Sequence, residues 1–384
     1  MARSSLRLVA AVVLLVGIVV AYALWTSRAR RTDEVNVGVV LPLTGEGAKY
    51  GASARQAIEL ALSELNSSGG IAGRKLRPTY EDSQGSASQG VSALQKLISV
   101  NHVPVVIGDL FSSVTLAMAP VAERNHVVIL SPTSSAPQIT NAGDYIFRNC
   151  ASDVFEGQVM AQAARRRLGV SKVAILYVNN DYGTGIVSVF RKDFADEGGA
   201  ILGEEAFSQG ATDFRAQLTK IGALHPQAIY LVGYKELGQV LKQAADLGIK
   251  TQFLSTVMFE DPDILAIAGP AAEGVIYSAR AYDAASDDPV VRAFVQSFKA
   301  RYGANPDIFA ALSYDATKIL AKAIEIGGTS SDGIKSALYS IQNYPGVCGL
   351  TSFDKNGDVT QPAYLKTVRN GQFGWLDKSP GKDQ

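Results

Sequence analysis

From residue 34 onward the chain alternates between two hydrophobic rhythms. Short β-branched apolar runs, of which 35–41 (VNVGVVL) is the first, lead through polar Gly/Ser/Pro loops into stretches with apolar residues at helical spacing. The change of period marks a strand followed by a helix. In the first repeat, 52–66 puts Ala54, Ala57, Ile58, Ala61, Leu62 and Leu65 on one helix face. The pattern goes on to predict a strand at 75–80, a helix at 88–99, and strands at 104–107 and 127–130 around another helix. A second series begins after Cys150, with strands at 173–178, 201–207, 228–232 and 252–254 and helices at 153–168, 184–197, 213–224 and 236–247. Strands and helices that alternate in this way build parallel sheets covered on both faces. The expected fold class is therefore α/β, with two doubly wound parallel-sheet lobes and a cleft between them.

The tail departs from this rhythm. It predicts one strand at 274–278, helices at 289–301 and 308–326, and then a β-hairpin marked by Asn-Gly pairs at 356 and 370. Strand-like junctions near 147–150 and 278–282 would carry the chain between the lobes and act as a multi-strand hinge. The expected partition is 34–149 plus 281–346 for one lobe and 150–280 plus 347–379 for the other. A length of 384 residues suits two such domains.

Residues 1–33 follow a different pattern. Residues 8–25 are 18 consecutive uncharged, mostly apolar positions preceded by Arg3 and Arg7, long enough as a helix to span about 27 Å. This fits a secretory signal peptide with a small-residue cleavage site at Ala21-Tyr22-Ala23, and equally an uncleaved anchor with Arg28, Arg30 and Arg31 at the membrane surface. Either places the body outside the cytoplasm, in the periplasm or its equivalent. No cysteine lies close behind the run, which excludes a lipoprotein anchor. This leader also changes the meaning of the charge count. The chain has 36 basic and 36 acidic residues; five of the basic and none of the acidic ones lie in 1–31, so the body carries 31 against 36, about −5. A mildly acidic body has no bulk attraction for nucleic acid or anionic lipid. Cys150 and Cys348 are the two cysteines; in an oxidising compartment they are either two buried thiols or one bridge, which needs their Cα atoms within about 7 Å.

Catalytic signatures are missing. The three histidines, His102, His126 and His225, are scattered, and HExxH, CxxC, Walker and GxSxG motifs are absent. Gly183-Thr-Gly185 lacks the third glycine of a dinucleotide fingerprint. The expectation is a non-enzyme with no cofactor and no metal. The loops after the strands offer other chemistry. Gly108-Asp-Leu-Phe-Ser112-Ser113 runs into a helix, and Ser131-Pro-Thr133-Ser134-Ser135-Ala-Pro137 follows the next strand. Hydroxyls and free N–H groups at a helix start suit a carboxylate, although Ser before a helix also serves as a plain cap. Tyr50, Tyr182 and Tyr234 lie in further strand-to-helix loops, where they are either half-buried structural residues or the apolar walls of a small-ligand site.

At these residues the chain resembles the periplasmic substrate-binding proteins of branched-chain amino-acid ABC transporters, the type I (Leu/Ile/Val-binding) family. VGVVLPLTGEGAKYGASARQAIELALSELNSSGGIAGRKL, YEDSQGSASQGVSALQKLI, VIGDLFSS, ILSPTSSAP, IFRNCASDVFEGQVMA, VAILYVNNDYGTG and GLTSFDKNGD follow its pattern in order across nearly all of 34–375. The resemblance implies that Ser112 and Ser135 hold a ligand's carboxylate and amino group, assisted by the Thr133 carbonyl. It implies that Tyr182 and Tyr234 close over the ligand and that Tyr50 packs against its side chain. In amino-acid binders an acidic residue near 255–257 pairs with the ammonium. Here Ser255-Thr256-Val257 stands there, and Glu260 is the substitute to test. The implied protein is a receptor, most simply a monomer, that delivers a branched-chain amino acid to a membrane permease. An aromatic or aliphatic carboxylate or amide as ligand, or a sensor for a membrane signalling partner, are the alternatives.

Overall fold

Two parallel sheets organise residues 34–376, the part of the chain that this computed structural model describes; the leader, with its cleavage or anchoring, lies outside the described residues. The first sheet has the order β2-β1-β3-β4-β5, formed by β1 (Glu34–Leu41), β2 (Lys75–Asp82), β3 (Val105–Gly108), β4 (Val128–Ser131) and β5 (Ile146–Arg148), all parallel. Its connecting helices are α1 (Ala48–Ser67), α2 (Ala87–Ser99) and α3 (Ser112–Asn125). Strands β3 and β4 are buried on both faces, which is why they read as unbroken apolar runs rather than alternating ones.

The chain then builds the second sheet. Helix α4 (Asp153–Gln162) leads into β6 (Lys172–Val178), α5 (Asp181–Asp196), β7 (Ala200–Phe207), α6 (Arg215–Ala223), β8 (Ala228–Val232), α7 (Leu237–Asp246), β9 (Gln252–Ser255), α8 (Pro262–Ala268) and β10 (Ile276–Ala279). Where one helix is predicted over 153–168, the structure ends α4 at Gln162 and continues in a wider π turn over Ala163–Arg167. Three helices follow, α9 (Pro289–Tyr302), α10 (Ile308–Gly327) and α11 (Ser331–Ser340), and α10 packs along α1 on the first sheet's side. Helix α11 is not anticipated by the sequence reading. Its signal is short: Ile334, Ala337 and Leu338 form its buried stripe, and the Ser330 hydroxyl caps it by accepting the Gly333 N–H. A two-stranded hairpin, β11 (Tyr344–Gly346) with β12 (Gly349–Thr351), is likewise added.

Last come β13 (Tyr364–Arg369) and β14 (Gln372–Trp375), antiparallel strands that extend the second sheet to the order β14-β13-β10-β9-β8-β6-β7. Of the two Asn-Gly pairs, 370–371 makes the hairpin turn, with φ of 54° and 69°. The pair at 356–357 sits in a smaller loop closed by the isolated Phe353–Val359 bridge.

Buried charge ties the chain crossings together. Arg148, at the end of β5, is fully buried. Its Nε and Nη2 each donate to Asp358 at 2.7 Å, Nη2 also donates to Thr140 at 2.7 Å, and Nη1 donates to the Ser135 and Ala136 carbonyls at 2.9 Å. All five guanidinium donors are satisfied. Arg280, just past β10, donates to the Ala151 carbonyl at 3.1 Å and reaches Glu156 at 3.4 Å. Glu156 in turn accepts the Val257 N–H at 2.7 Å and the Ser278 hydroxyl at 2.5 Å.

For the cysteines the structure takes the thiol alternative and not the bridge: Cys150 and Cys348 are buried free thiols in one apolar cluster. The Cys348 N–H donates to Asp315 at 2.9 Å, and its thiol lies near both that carboxylate and Cys150. Burial pushes the Cys150 thiol up to about 11.

Replacing Arg148 by Met roughly keeps the volume but removes five donors at once, leaving the Asp358 carboxylate with the Thr140 hydroxyl and no counter-charge, and the Ser135 and Ala136 carbonyls with one N–H each. The expected cost is about 3–5 kcal/mol of unfolding free energy, the usual penalty for breaking a buried pair, read as a lowered urea midpoint with unchanged slope. A loss under about 0.5 kcal/mol would contradict the role assigned to this side chain.

Candidate ligand-binding cleft

The carboxyl ends of β3 and β4, neighbours in the first sheet, carry the two hydroxyl-rich loops, and one backbone oxygen organises both. The Asp109 carbonyl accepts the hydroxyls of Ser131 at 2.7 Å, Ser134 at 3.0 Å and Thr115 at 3.3 Å. The Asp109 carboxylate accepts the Phe111 N–H at 2.8 Å and the Ser83 hydroxyl at 2.5 Å. These bonds consume much of the hydroxyl content that made the loops conspicuous. The Thr133 hydroxyl is likewise committed, donating to the Leu110 carbonyl at 2.9 Å. Ser112 opens α3, which has no side-chain cap, so the first N–H groups of that helix remain available. The Ser112 hydroxyl accepts the Ala136 N–H at 3.1 Å and so joins the two loops.

Opposite them stand loops from three adjacent strands of the second sheet. Tyr182 follows β6, Tyr234 follows β8, and Met258 follows β9. Tyr182 donates to the Thr256 hydroxyl at 2.8 Å. Tyr234 is held by Glu236, which accepts the Tyr234 N–H at 3.2 Å and the Gly210 N–H at 2.7 Å. Together Leu110, Phe111, Ser112, Thr133, Ser135, Tyr182, Tyr234, Met258 and Phe309 line a cavity of about 10 Å³, roughly the room of one water. Phe111 meets Tyr234 across the cleft at 5.3 Å, while Tyr182 packs on Tyr234 at 5.5 Å within one wall and Tyr50 stacks on Phe309 at 4.5 Å within the other. A Cβ on Gly47 would come within 2.6 Å of the Phe111 ring, so this glycine makes room for the aromatic wall.

The predicted residues take distinct places. Ser112, Thr133, Ser135, Tyr182 and Tyr234 line the cavity. Tyr50 stands one ring behind, against Phe309, with its hydroxyl 3.4 Å from Asp261. Ser113 faces across the cleft, its hydroxyl accepting the Asp181 N–H at 3.3 Å. Glu260 is absent from the lining and forms an ion pair with Lys366 on β13. Burial holds the Glu260 carboxyl above its usual range against the pull of that lysine.

Phe111, Met258 and Phe309 are absent from the sequence reading of the site, because apolar residues near element ends are indistinguishable from core. A carboxylate does reach the Ser255-Thr256-Val257 region, but from α4, where Glu156 accepts the Val257 N–H. The Gly183-Thr-Gly185 run has a packing explanation. A Cβ at 183 would lie 1.9 Å from the Val178 carbonyl oxygen, and one at 185 would lie 2.7 Å from Pro137 of the opposite loop. Ion pairs also cross the cleft: Lys49 to Asp261 at 2.8 Å and to Asp263 at 2.5 Å, and Glu46 to Lys235 at 2.5 Å.

Hydroxyls, free helix N–H groups and aromatic walls from two lobes, converging on one small space, describe a solute-binding cleft. Comparison with known proteins agrees. Residues 34–372 match the periplasmic binding protein family model, and the chain belongs to that family. It is similar to the leucine-, isoleucine-, valine-, threonine- and alanine-binding protein of Pseudomonas aeruginosa, with 29% identity over 88% of this chain and 91% of that one. Among solved structures it resembles the leucine binding protein LivK of Thermotoga maritima, with TM-score 0.84 and 29% identity over 91% of this chain and 100% of that one. It also resembles the branched-chain amino-acid transporter substrate-binding protein LivJ of Streptococcus pneumoniae in complex with isoleucine, with TM-score 0.82 and 28% identity over 88% and 97%. The relatives are substrate-binding proteins, and the fold is that of the type I periplasmic binding proteins.

Two outcomes follow from this geometry. Burial pushes Asp109 up to about 7 against the pull of its Phe111 and Ser83 bonds, from an unfolded value near 4. Between those values the folded chain binds the extra proton, so this group makes stability fall as pH rises from about 4 to about 7, by up to about 1.4 kcal/mol per pH unit. Asp109→Asn, which keeps both hydrogen bonds if the Ser83 hydroxyl turns, should remove that part of the slope in urea titrations at pH 5 and 7; an unchanged slope would contradict it. Gly185→Val should hold the lobes apart and weaken ligand binding about tenfold or more, a cost of about 1.4 kcal/mol in closure. Undiminished affinity would show that Gly185 and Pro137 need not meet.

Proposed function

We propose that this chain is an extracytoplasmic receptor that traps one small amino acid of the branched-chain type between its lobes and presents it to an ABC permease. The observation that carries this reading is the make-up of the cavity: hydroxyls of Ser112 and Ser135, with the uncapped start of α3, face an apolar end made by Phe111, Tyr182, Tyr234, Met258 and Phe309. Helix N–H groups favour an anion, and the rings suit a short aliphatic side chain. In this reading 34–149 with 281–346 moves as one body and 150–280 with 347–379 as the other, in a monomer without catalytic activity. The leader, as signal peptide or anchor, delivers the body to the outside. Ligand stabilises the closed form only through contacts it gains there, and Tyr182 and Tyr234 supply them.

A second reading has its own observation. With Glu260 paired to Lys366 and no acid at 255–257, the ligand would be a simple aromatic or aliphatic carboxylate.

A thermal-shift screen of amino acids, amides and simple carboxylates separates the readings. A true ligand at about 100 times its Kd adds about 2.7 kcal/mol of stability, a shift of several degrees. Ser112→Ala and Tyr182→Ala should each weaken binding about tenfold, as the loss of a charge-assisted hydrogen bond or a ring contact predicts. A screen with no hit, or hits untouched by both substitutions, would overturn the receptor reading or the placement of its site.

A further inference from the structure

Two ion pairs of opposite sense bridge the cleft beside the aromatic wall. Lys49, in the first turn of α1, reaches Asp261 at 2.8 Å and Asp263 at 2.5 Å, both at the start of α8. Glu46, in the turn just before α1, reaches Lys235 in the loop after β8 at 2.5 Å. On the lobe partition proposed above, each pair joins one body to the other. Each also adjoins a ring of the wall. Lys49 precedes Tyr50, and the Asp261 carboxylate that takes the Lys49 ammonium also lies 3.4 Å from the Tyr50 hydroxyl. Lys235 lies between Tyr234, which lines the cavity, and Glu236, which fixes that loop by accepting the Tyr234 and Gly210 N–H groups. The two rings attached in this way meet across the cleft, Tyr50 to Tyr234 at 6.4 Å.

Glu46, Lys49, Lys235 and Asp263 are about half exposed, and Asp261 is buried. Pairs between exposed side chains add little to the stability of a fold. What these add is register. One side of the cleft carries a negative and then a positive group, and the other carries their complements, so both pairs are met in one arrangement of the lobes. A slide that carried Glu46 toward Asp261, or Lys49 toward Lys235, would set like charges face to face. Charge patterns of this kind select one docking geometry and reject its neighbours more than they raise affinity.

We propose that Lys49 and Lys235, with their partners Asp261, Asp263 and Glu46, are positioning residues for ligand capture: they lock the lobes in the register that sets Tyr50 and Tyr234 against the cavity, and they slow release of a ligand that they do not touch. The inference rests on the two-lobed receptor reading and assigns it residues outside the cavity lining. Opening the cleft parts both pairs and returns their charges to water. They therefore stabilise the closed form alone, and their effect falls on dissociation rather than on encounter.

Calorimetry and stopped-flow dissociation of L-leucine from the full chain test this. Glu46→Lys and Lys235→Glu each set like charges together and should each weaken leucine about fivefold, mostly by faster release. The variant carrying both exchanges restores an ion pair and should return to within about twofold of wild type; a merely structural role for either residue would not be rescued by trading the charges. Lys49→Met should weaken leucine about tenfold, because closure then buries the Asp261 carboxylate without its cation. Leucine has no net charge, so raising sodium chloride from about 20 to about 500 mM should weaken the wild type several-fold and a variant with Met at both 49 and 235 much less. Single reversals without effect, a double exchange that fails to restore binding, or equal salt dependence in wild type and the double Met variant would each overturn the proposal. Ser112→Ala tests the cleft separately: if it weakens leucine while the charge variants do not, the cleft stands and only the role of the ion pairs falls. If the wild type takes up no leucine, the branched-chain receptor reading falls and this inference with it.

Discussion

A guanidinium shut away from water must have every donor met, and the way Arg148 meets this constraint shapes the rest of the molecule. Its side chain leaves the last strand of the first sheet and binds the backbone of the Ser135 loop, the Thr140 hydroxyl and the Asp358 carboxylate near the final crossing. A cavity-lining loop, the end of a sheet and a returning segment of chain are thereby fixed to one planar group. Carbonyls at 2.9 Å from a buried cation are far harder to displace than a surface loop, so Ser135 is held in place by a residue that does not itself face the cavity.

The same economy governs the first lobe's other loop. Asp109 gives its carbonyl to three hydroxyls and its carboxylate to the Phe111 N–H and the Ser83 hydroxyl. Most of the serines and threonines there are structural, and that is what leaves Ser112 and Ser135 positioned at the cavity edge. The rigid polar floor then faces a wall of rings contributed by both lobes, with Gly47 and Gly185 keeping the side-chain-free surfaces that such close approach requires. On the proposed reading the walls belong to two bodies, so contact area and lobe closure would be coupled, and a ligand would gain affinity through the contacts that closure adds.

Much of this was legible from the order of the residues. The β-branched runs at 35–41, 173–178 and 228–232 announce buried parallel strands because only such strands are apolar on both faces. Ser112, Ser135, Tyr182 and Tyr234 could be placed because strand-to-helix loops at one sheet edge converge in any doubly wound fold. What was not legible depends on distant contacts. Phe111 and Phe309 look like core in a linear reading and become cavity wall only when α10 returns to the first sheet. Helix α11 is too short to show a periodic stripe. Glu260 reads as available in the linear chain, but β13 brings Lys366 beside it, and the carboxylate that does reach 255–257, Glu156, lies about 100 residues earlier in the chain. Arg148 was hidden for the opposite reason: a basic residue at the end of a strand reads as solvated surface, and only the folded chain shows that it is sealed.

The central claim is that a small ligand binds between two bodies that close on it. Small-angle X-ray scattering of residues 34–384 with and without saturating leucine addresses it most directly. Stoichiometric binding accompanied by a contraction of the radius of gyration is the result this account predicts; stoichiometric binding with superimposable scattering curves would contradict it.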